Sequence, residues 1–330
     1  MAETLPINLD LREPRAQAAA DPCRHLTFLG DQAPPVPAAA PRPLARVSGS
    51  REERVLDAES AAFFEALCQA GGIRAARYRH TILRRRQAAC LRALRAPSLG
   101  EARRLIAGEP GRAEKALGAV MIGVTAFFRD PAVFEALSPL MRVLRHEHGR
   151  VDAVSVACSD GSELYSVAML AAEERAIEGA TFLGIDCRPL AIEAARAGHY
   201  TSACVAAVPE PLRSRYFVAA AASDHRPRHS HEESFVRVAE TLRGACRWKV
   251  GDAFDLPPHS DLRAAPNIIL CRNLAIYLTP AAAEDLWRLL VASVRPGGLL
   301  VVGKAERPSP DTRALLTRVG PCIYRKLENP

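Results

Sequence analysis

Long apolar runs are absent. No segment of the 330-residue chain approaches the ~20 consecutive apolar residues that a membrane-spanning helix needs. The opening residues, MAETLPINLDLREPR, have no basic segment followed by an apolar run, so no secretory signal is read and a cytoplasmic location is expected. Nine cysteines occur singly, at positions 23, 68, 90, 158, 187, 204, 246, 271 and 322, with no C-x-x-C pair. That spacing offers neither a zinc site nor a disulfide framework and suits reduced thiols filling small buried gaps. Aromatic residues are scarce at 5%, and no series of them is interleaved with the arginine clusters as a single-strand nucleic-acid platform requires. The dinucleotide fingerprint G-x-G-x-x-G is also missing.

What is present is a globular composition, 48% hydrophobic and 25% charged, with a net charge of +7. The length allows two domains, or one large domain with additions. The positive charge is concentrated. Between Arg74 and Arg104 stand ten arginines and one acid, Glu101. Such a run is either a solvated helix face or a docking surface for something acidic, such as a nucleic acid or a Glu-rich protein helix.

Texture divides the chain. Residues 1–50 are rich in Ala and Pro, without sustained periodicity, and read as a disordered tail. Residues 51–118 read as a small, basic, all-α domain. Phe63, Phe64 and Leu67 fall at helix spacing before Gly71-Gly72, and Ile82, Leu83, Leu91 and Leu94 line a second helix that Pro97 ends. A third short helix is expected in LGEARRLIAG. Residues 119–330 read as α/β. Short apolar runs in VDAVSVAC, TFLGID, CRWKV, NIILCRN, GLLVVGK and CIYRKL alternate with helical segments, including one around Leu315. That alternation implies a parallel sheet covered on both faces. A polar stretch at 218–234 interrupts it, and its three histidines are read as a solvated loop and not a metal site.

In such sheets ligands bind beyond the carboxyl ends of the strands. The first strand runs into CSDGSE, a turn with Gly161 and then a helix N-terminus, where backbone N–H groups can approach a ligand. The second ends at Asp186, 25 residues after Gly161. A carboxylate there suits the two hydroxyls of a ribose, and without the dinucleotide fingerprint it points to a single adenosine-type cofactor. A generic α/β turn with a solvated Asp is the alternative. The stretch MIGVTAFFRDPAVFEAL adds a puzzle: two phenylalanines of buried type lie directly beside Arg129.

Six strings then appear in order: VTAFFRDPAVFEAL, VACSDGSELYSVAMLAAE, GIDCRPLAIEAARAGHY, RYF, CRNLAIYL and VRPGGLLVVGKAE. Together they resemble the CheR family, S-adenosylmethionine-dependent methyltransferases that esterify glutamates on bacterial chemoreceptors. The likeness runs from about Ser60 to Leu327. It implies a Rossmann-like class I methyltransferase sheet preceded by a small all-α domain, with a small subdomain at about 201–247. It implies S-adenosylmethionine as cofactor and S-adenosylhomocysteine as product. The basic helical domain would face the cytoplasmic helices of a chemoreceptor or receptor-like protein. Thr125 and Arg129 would reach the cofactor while Phe127 and Phe128 pin their segment to the core. Glu163, Asp186, Asp252, Ala253, Arg272 and Asn273 would also contact the cofactor. Arg272 and Tyr277 would position the acceptor carboxylate, with no general base. No metal is implied.

The chain departs from the family pattern at four points. Gly123 stands where the family has Asn, Ser162 replaces the first of two paired glutamates, Asp252 replaces Asn, and Asn267 replaces an acid. It reads as a divergent member. Three functions follow from different classes: a protein-glutamate methyltransferase, a catalytically impaired cofactor-binding scaffold, and a methyltransferase for another acceptor, nucleic acid included.

Overall fold

A computed structural model of the chain describes residues 55–121, 123, 125–220, 234–256 and 264–328. The Ala/Pro-rich tail at 1–50 and the three histidines of the polar stretch lie outside the described residues.

Four helices open the described chain: α1 (Ala58–Ala70), α2 (His80–Leu94), α3 (Leu99–Gly108) and α4 (Pro110–Val120). Their starts follow local chemistry. The Asp57 side chain accepts from the Ser60 N–H at 2.8 Å, and the Ser98 hydroxyl accepts from the Glu101 N–H at 3.2 Å. Phe63, Phe64 and Leu67 are fully buried; in α2 Leu83, Cys90 and Leu94 are buried, while Ile82 and Leu91 are half-buried. The fourth helix, which has Pro at its first turn where the missing N–H costs nothing, has no counterpart among the three helices expected from sequence.

After α5 (Pro131–His148) the α/β part begins: β1 (Ala153–Val156), α6 (Ser162–Glu173), β2 (Phe182–Asp186), α7 (Pro189–Ala197), β3 (His199–Thr201), α8 (Glu210–Tyr216) and β4 (Phe217–Ala219). It continues through β5 (Phe235–Val238), α9 (Glu240–Ala245), β6 (Cys246–Val250), β7 (Ile268–Cys271), α10 (Pro280–Ser293), β8 (Leu299–Val302), α11 (Pro310–Arg313), β9 (Leu316–Gly320) and β10 (Ile323–Lys326). The helix expected around Leu315 is shorter and earlier. It ends at Arg313, and Leu316 opens a strand, because that segment pairs with β10 at the sheet edge.

The main sheet has seven strands in the order β6-β2-β1-β7-β8-β10-β9. The five from β6 to β8 are parallel, and β10 runs antiparallel to both neighbours. The strands β1, β2, β7 and β8 are buried along their whole length, which is why they read as continuous apolar runs. Side chains alternate between two cores. Val154, Val156, Leu183, Ile185, Ile269 and Cys271 face one core, which they share with α10 and the N-terminal helices. Ala153, Phe182, Ile268 and Leu270 face the other, with α5 and α6. The helical region therefore shares a continuous core with one face of the sheet. A small antiparallel sheet, β3-β5-β4, branches off after α7.

Chain order reverses between β1 and its neighbours β2 and β7. The crevice at this switch point, outside the carboxyl ends of the strands, is where an open α/β sheet accepts a ligand.

Candidate functional site

A cavity occupies that crevice, lined by the residues that follow β1, β2, β6 and β7. Backbone strain gathers around it. Ala157 and Ser159 after β1, and Asn273 after β7, all have positive φ, as do Phe128 and Asp130 on the segment that closes one side. Left-handed backbone is costly for residues other than glycine and persists where surroundings over-determine it.

The segment with two phenylalanines is anchored as its composition suggests. Phe127 meets Tyr200 and Phe217 edge-on at 4.8 and 5.3 Å between ring centroids, and Phe128 meets Phe134 at 5.2 Å. The Phe128 N–H donates to the Ser166 hydroxyl at 3.0 Å. Thr125 and Arg129, flanking this anchor, line the cavity.

Asp186 closes β2 with a buried carboxylate. It accepts from the Ser159 N–H at 2.9 Å and from Arg188, through its main-chain N–H at 3.0 Å, Nε at 2.9 Å and Nη2 at 3.1 Å. Arg188 is itself largely buried. Burial opposes its charge, yet the Asp186 carboxylate holds its pKa above the ordinary arginine value.

A second ionic group lies under the cavity. Arg272 follows β7 with its side chain 1% exposed, and donates from Nη1 to Glu163 at 3.1 Å and from Nη2 to Asp130 at 2.6 Å and the Arg129 carbonyl at 2.7 Å. Glu163 also accepts from the Ser155 hydroxyl at 2.9 Å, and Asp130 pairs with Lys304 at 2.8 Å. Next to it the buried carboxylate of Glu306 gathers the main-chain N–H groups of Asn273, Ala275 and Gly303 at 2.6–2.9 Å. That carboxylate fixes the strained turn carrying Asn273 and the helical turn Ala275–Tyr277.

The N-terminal helices supply the facing wall. Ile73, Tyr78, Ile82 and Leu83 line the same cavity as the strand ends. Main-chain bonds seat this wall on the turn after β7: Arg79 N–H to the Tyr277 carbonyl at 3.0 Å and Thr279 N–H to the Arg77 carbonyl at 2.9 Å. Arg77 reaches across to Asp252 at 2.6 Å, with its guanidinium 3.8 Å from the centre of the Phe254 ring. Burial pushes the Asp252 carboxyl up from its ordinary value, against the opposing effects of the Phe254 N–H and Arg77.

All nine residues expected at a site from sequence, Thr125, Arg129, Glu163, Asp186, Asp252, Ala253, Arg272, Asn273 and Tyr277, line this single cavity. Gly161 has a different place. It does not line the cavity; a Cβ there would come within 2.5 Å of the Trp248 ring, and its φ is +86°. Its lack of a side chain serves that packing and the turn, and leaves no room to invoke close approach to a ligand. Two of the four departures are local. Ser162 bonds Asp160 at 2.7 Å, and Asn267 accepts from the Asp152 N–H at the opposite end of β7. Sequence reasoning missed Arg188, Glu306 and the apolar wall from α2. Arg188 stands two residues after the strand-terminal acid, Glu306 lies in the quoted string VVGKAE, and Ile82 and Leu83 were assigned only to a helix core.

Comparison with known proteins bears on this arrangement. Residues 123–319, more than half of the chain, match the family described as CheR methyltransferase, SAM binding domain. The chain belongs to the CheR methyltransferase family. Similar curated proteins include chemotaxis protein methyltransferase 2 of Pseudomonas aeruginosa, 26% identical over 88% of this chain and 99% of that protein. The chemotaxis protein methyltransferase of Salmonella typhimurium is 27% identical over 80% of this chain and 90% of its own length. Among solved structures, the N-methyltransferase NodS from Bradyrhizobium japonicum is 13% identical over 61% of this chain and 100% of that chain, with a TM-score of 0.33.

This CheR-family protein is therefore an S-adenosylmethionine-dependent methyltransferase. The cavity's chemistry fits that cofactor. Carboxylates at Glu163, Asp186 and Asp252 suit a sulfonium cation and sugar hydroxyls, and the apolar side chains from α2 suit a purine. Among the described residues no cluster of His, Cys, Asp and Glu could hold a metal ion, and no helix is long and apolar enough to cross a membrane.

Proposed function

We propose that this protein transfers a methyl group from S-adenosylmethionine to glutamate side chains of a chemoreceptor or receptor-like signalling protein in the cytoplasm. One observation carries the reading: the cavity wall is shared between the strand ends and the arginine-rich helical region. An acidic helix docked on the exposed Arg84 and Arg85 of α2 would lie on the same element that lines the cavity through Ile82 and Leu83. The names of the similar Pseudomonas and Salmonella proteins, and the extent of chain they share, support the same acceptor class.

When bound, the cofactor supplies an activated methyl group on sulfur. In this proposal the chain's own residues bind and align. Asp186 takes the sugar hydroxyls, Asp252 and Ala253 flank the base, and Thr125, Arg129, Glu163 and Asn273 hold the remainder. A glutamate acceptor is already ionised near neutral pH, so no proton need be removed. Orientation is the main demand, and it can supply roughly 7–11 kcal/mol in favourable systems. Tyr277 positions the acceptor carboxylate. Arg272, with both terminal nitrogens committed to its own chain, acts through Glu163 and Arg129.

Labelled S-adenosylmethionine offered with the cytoplasmic half of a chemoreceptor, and separately with RNA and DNA, tests the proposal. Base-labile label on the receptor is expected. Label on nucleic acid would assign another acceptor. Cofactor binding without transfer would favour the scaffold reading.

A further inference from the structure

A carboxylate offers about four lone-pair positions to donors. At Asp186 all are taken. Oδ1 accepts from the Arg188 main-chain N–H and Nε, and Oδ2 accepts from the Ser159 N–H and Arg188 Nη2, all within 2.9–3.1 Å. Two of these donors belong to a flexible side chain and two to the main chain. An incoming sugar diol, which must donate to this carboxylate, can displace only the guanidinium.

The chain makes room for that guanidinium by an unusual means. A Cβ at position 123 would lie 1.9 Å from Arg188 Nη1 and 2.7 Å from Cζ. Only glycine permits the arginine to rest where it does. The Gly123 carbonyl is held by the Ser159 hydroxyl at 3.0 Å, and the Met121 carbonyl accepts from Arg188 Nη1 at 3.4 Å. That last contact is long, and it offers the guanidinium an acceptor once it leaves Asp186. Gly123, Ser159, Asp186 and Arg188 all line the cavity.

We infer that Arg188, seated over Gly123, is an affinity-setting residue of the cofactor site that competes with the ribose for Asp186 and must swing aside for the cofactor to bind. The inference rests on the proposal that Asp186 is the sugar-binding acid. The free protein is stabilised by the pair, since a buried carboxylate left without its partner is costly. The same stabilisation is subtracted from cofactor affinity.

Removing the side chain reverses both effects. Calorimetric titration with S-adenosylhomocysteine should show Arg188→Ala binding roughly tenfold tighter than the unmodified protein, while the ligand-free protein melts at a lower temperature. A merely structural arginine would lower the melting temperature and weaken binding together. Gly123→Ala evicts the guanidinium without touching Arg188, so it should also tighten binding, and the double variant should bind no tighter than Arg188→Ala alone. Unchanged or weaker binding by Arg188→Ala overturns the inference while leaving the cofactor site intact. Binding by the variant but not by the unmodified protein supports it most strongly. Failure of both to bind at millimolar ligand removes the cofactor site and the inference with it.

Discussion

Arg188 and Tyr277 illustrate how much a single residue's role depends on what its main chain is already doing. Tyr277 is tied through its backbone: its carbonyl accepts from Arg79 and its N–H donates to the Leu274 carbonyl at 3.0 Å. Removing only the hydroxyl leaves those bonds in place. Tyr277→Phe should therefore lower kcat by about 10- to 100-fold, the worth of a hydrogen bond to a charged group, with S-adenosylhomocysteine affinity within about twofold of normal. Steady-state kinetics and calorimetry on the same preparation separate the outcomes; equal loss of both would make Tyr277 a structural residue. Strain marks the same neighbourhood. Positive φ at Ala157, Ser159 and Asn273 lies where two strand ends, those of β1 and β7, meet the cavity, and no composition rule identifies such positions, because alanine and serine rarely adopt that backbone.

At the scale of elements, α2 does two jobs with two faces. Leu83, Cys90 and Leu94 are buried, while Arg84, Arg85 and Arg92 are exposed. The apolar spacing of this helix was legible from sequence, and so was the charge run. What sequence could not supply was direction: that Ile82 and Leu83 end at the cavity and not only in a helical core. Reversing Arg84, Arg85 and Arg86 to Glu should raise the KM for a receptor substrate by about tenfold at low salt, with the difference shrinking as ionic strength rises. Kinetics unchanged at low salt would reduce this face to a solubility feature. The strands were legible for a similar reason. Runs such as FLGID and NIILC are buried on both faces and so show as unbroken apolar segments. The segment after Arg313 misled because a partly exposed edge strand carries little of that signal.

For the whole molecule, the sheet order places β1 between β2 and β7, and that one reversal creates the crevice. Residues from four of the six strings, together with Asp252 and Ala253, spread from Thr125 to Tyr277, converge there. Strand-end placement brings Asp186 to the crevice, whereas the convergence of the others was legible through family resemblance, since no spacing rule brings Thr125 to Asp252. The cross-links were not legible at all. Arg77 and Asp252 are 175 residues apart, and Arg272 and Glu163 are 109 apart. Such pairs join the helical region to the sheet and the sheet's strand ends to one another, so the cavity exists only in the assembled chain. In the proposed reading this cavity holds the adenosyl cofactor with Asp186 on its sugar. Its most direct test is calorimetric titration of S-adenosylhomocysteine into the protein and into Asp186→Ala. Saturable one-site binding to the first and a loss of at least about tenfold in the second are expected; equal affinity for both proteins would remove Asp186 from the sugar site.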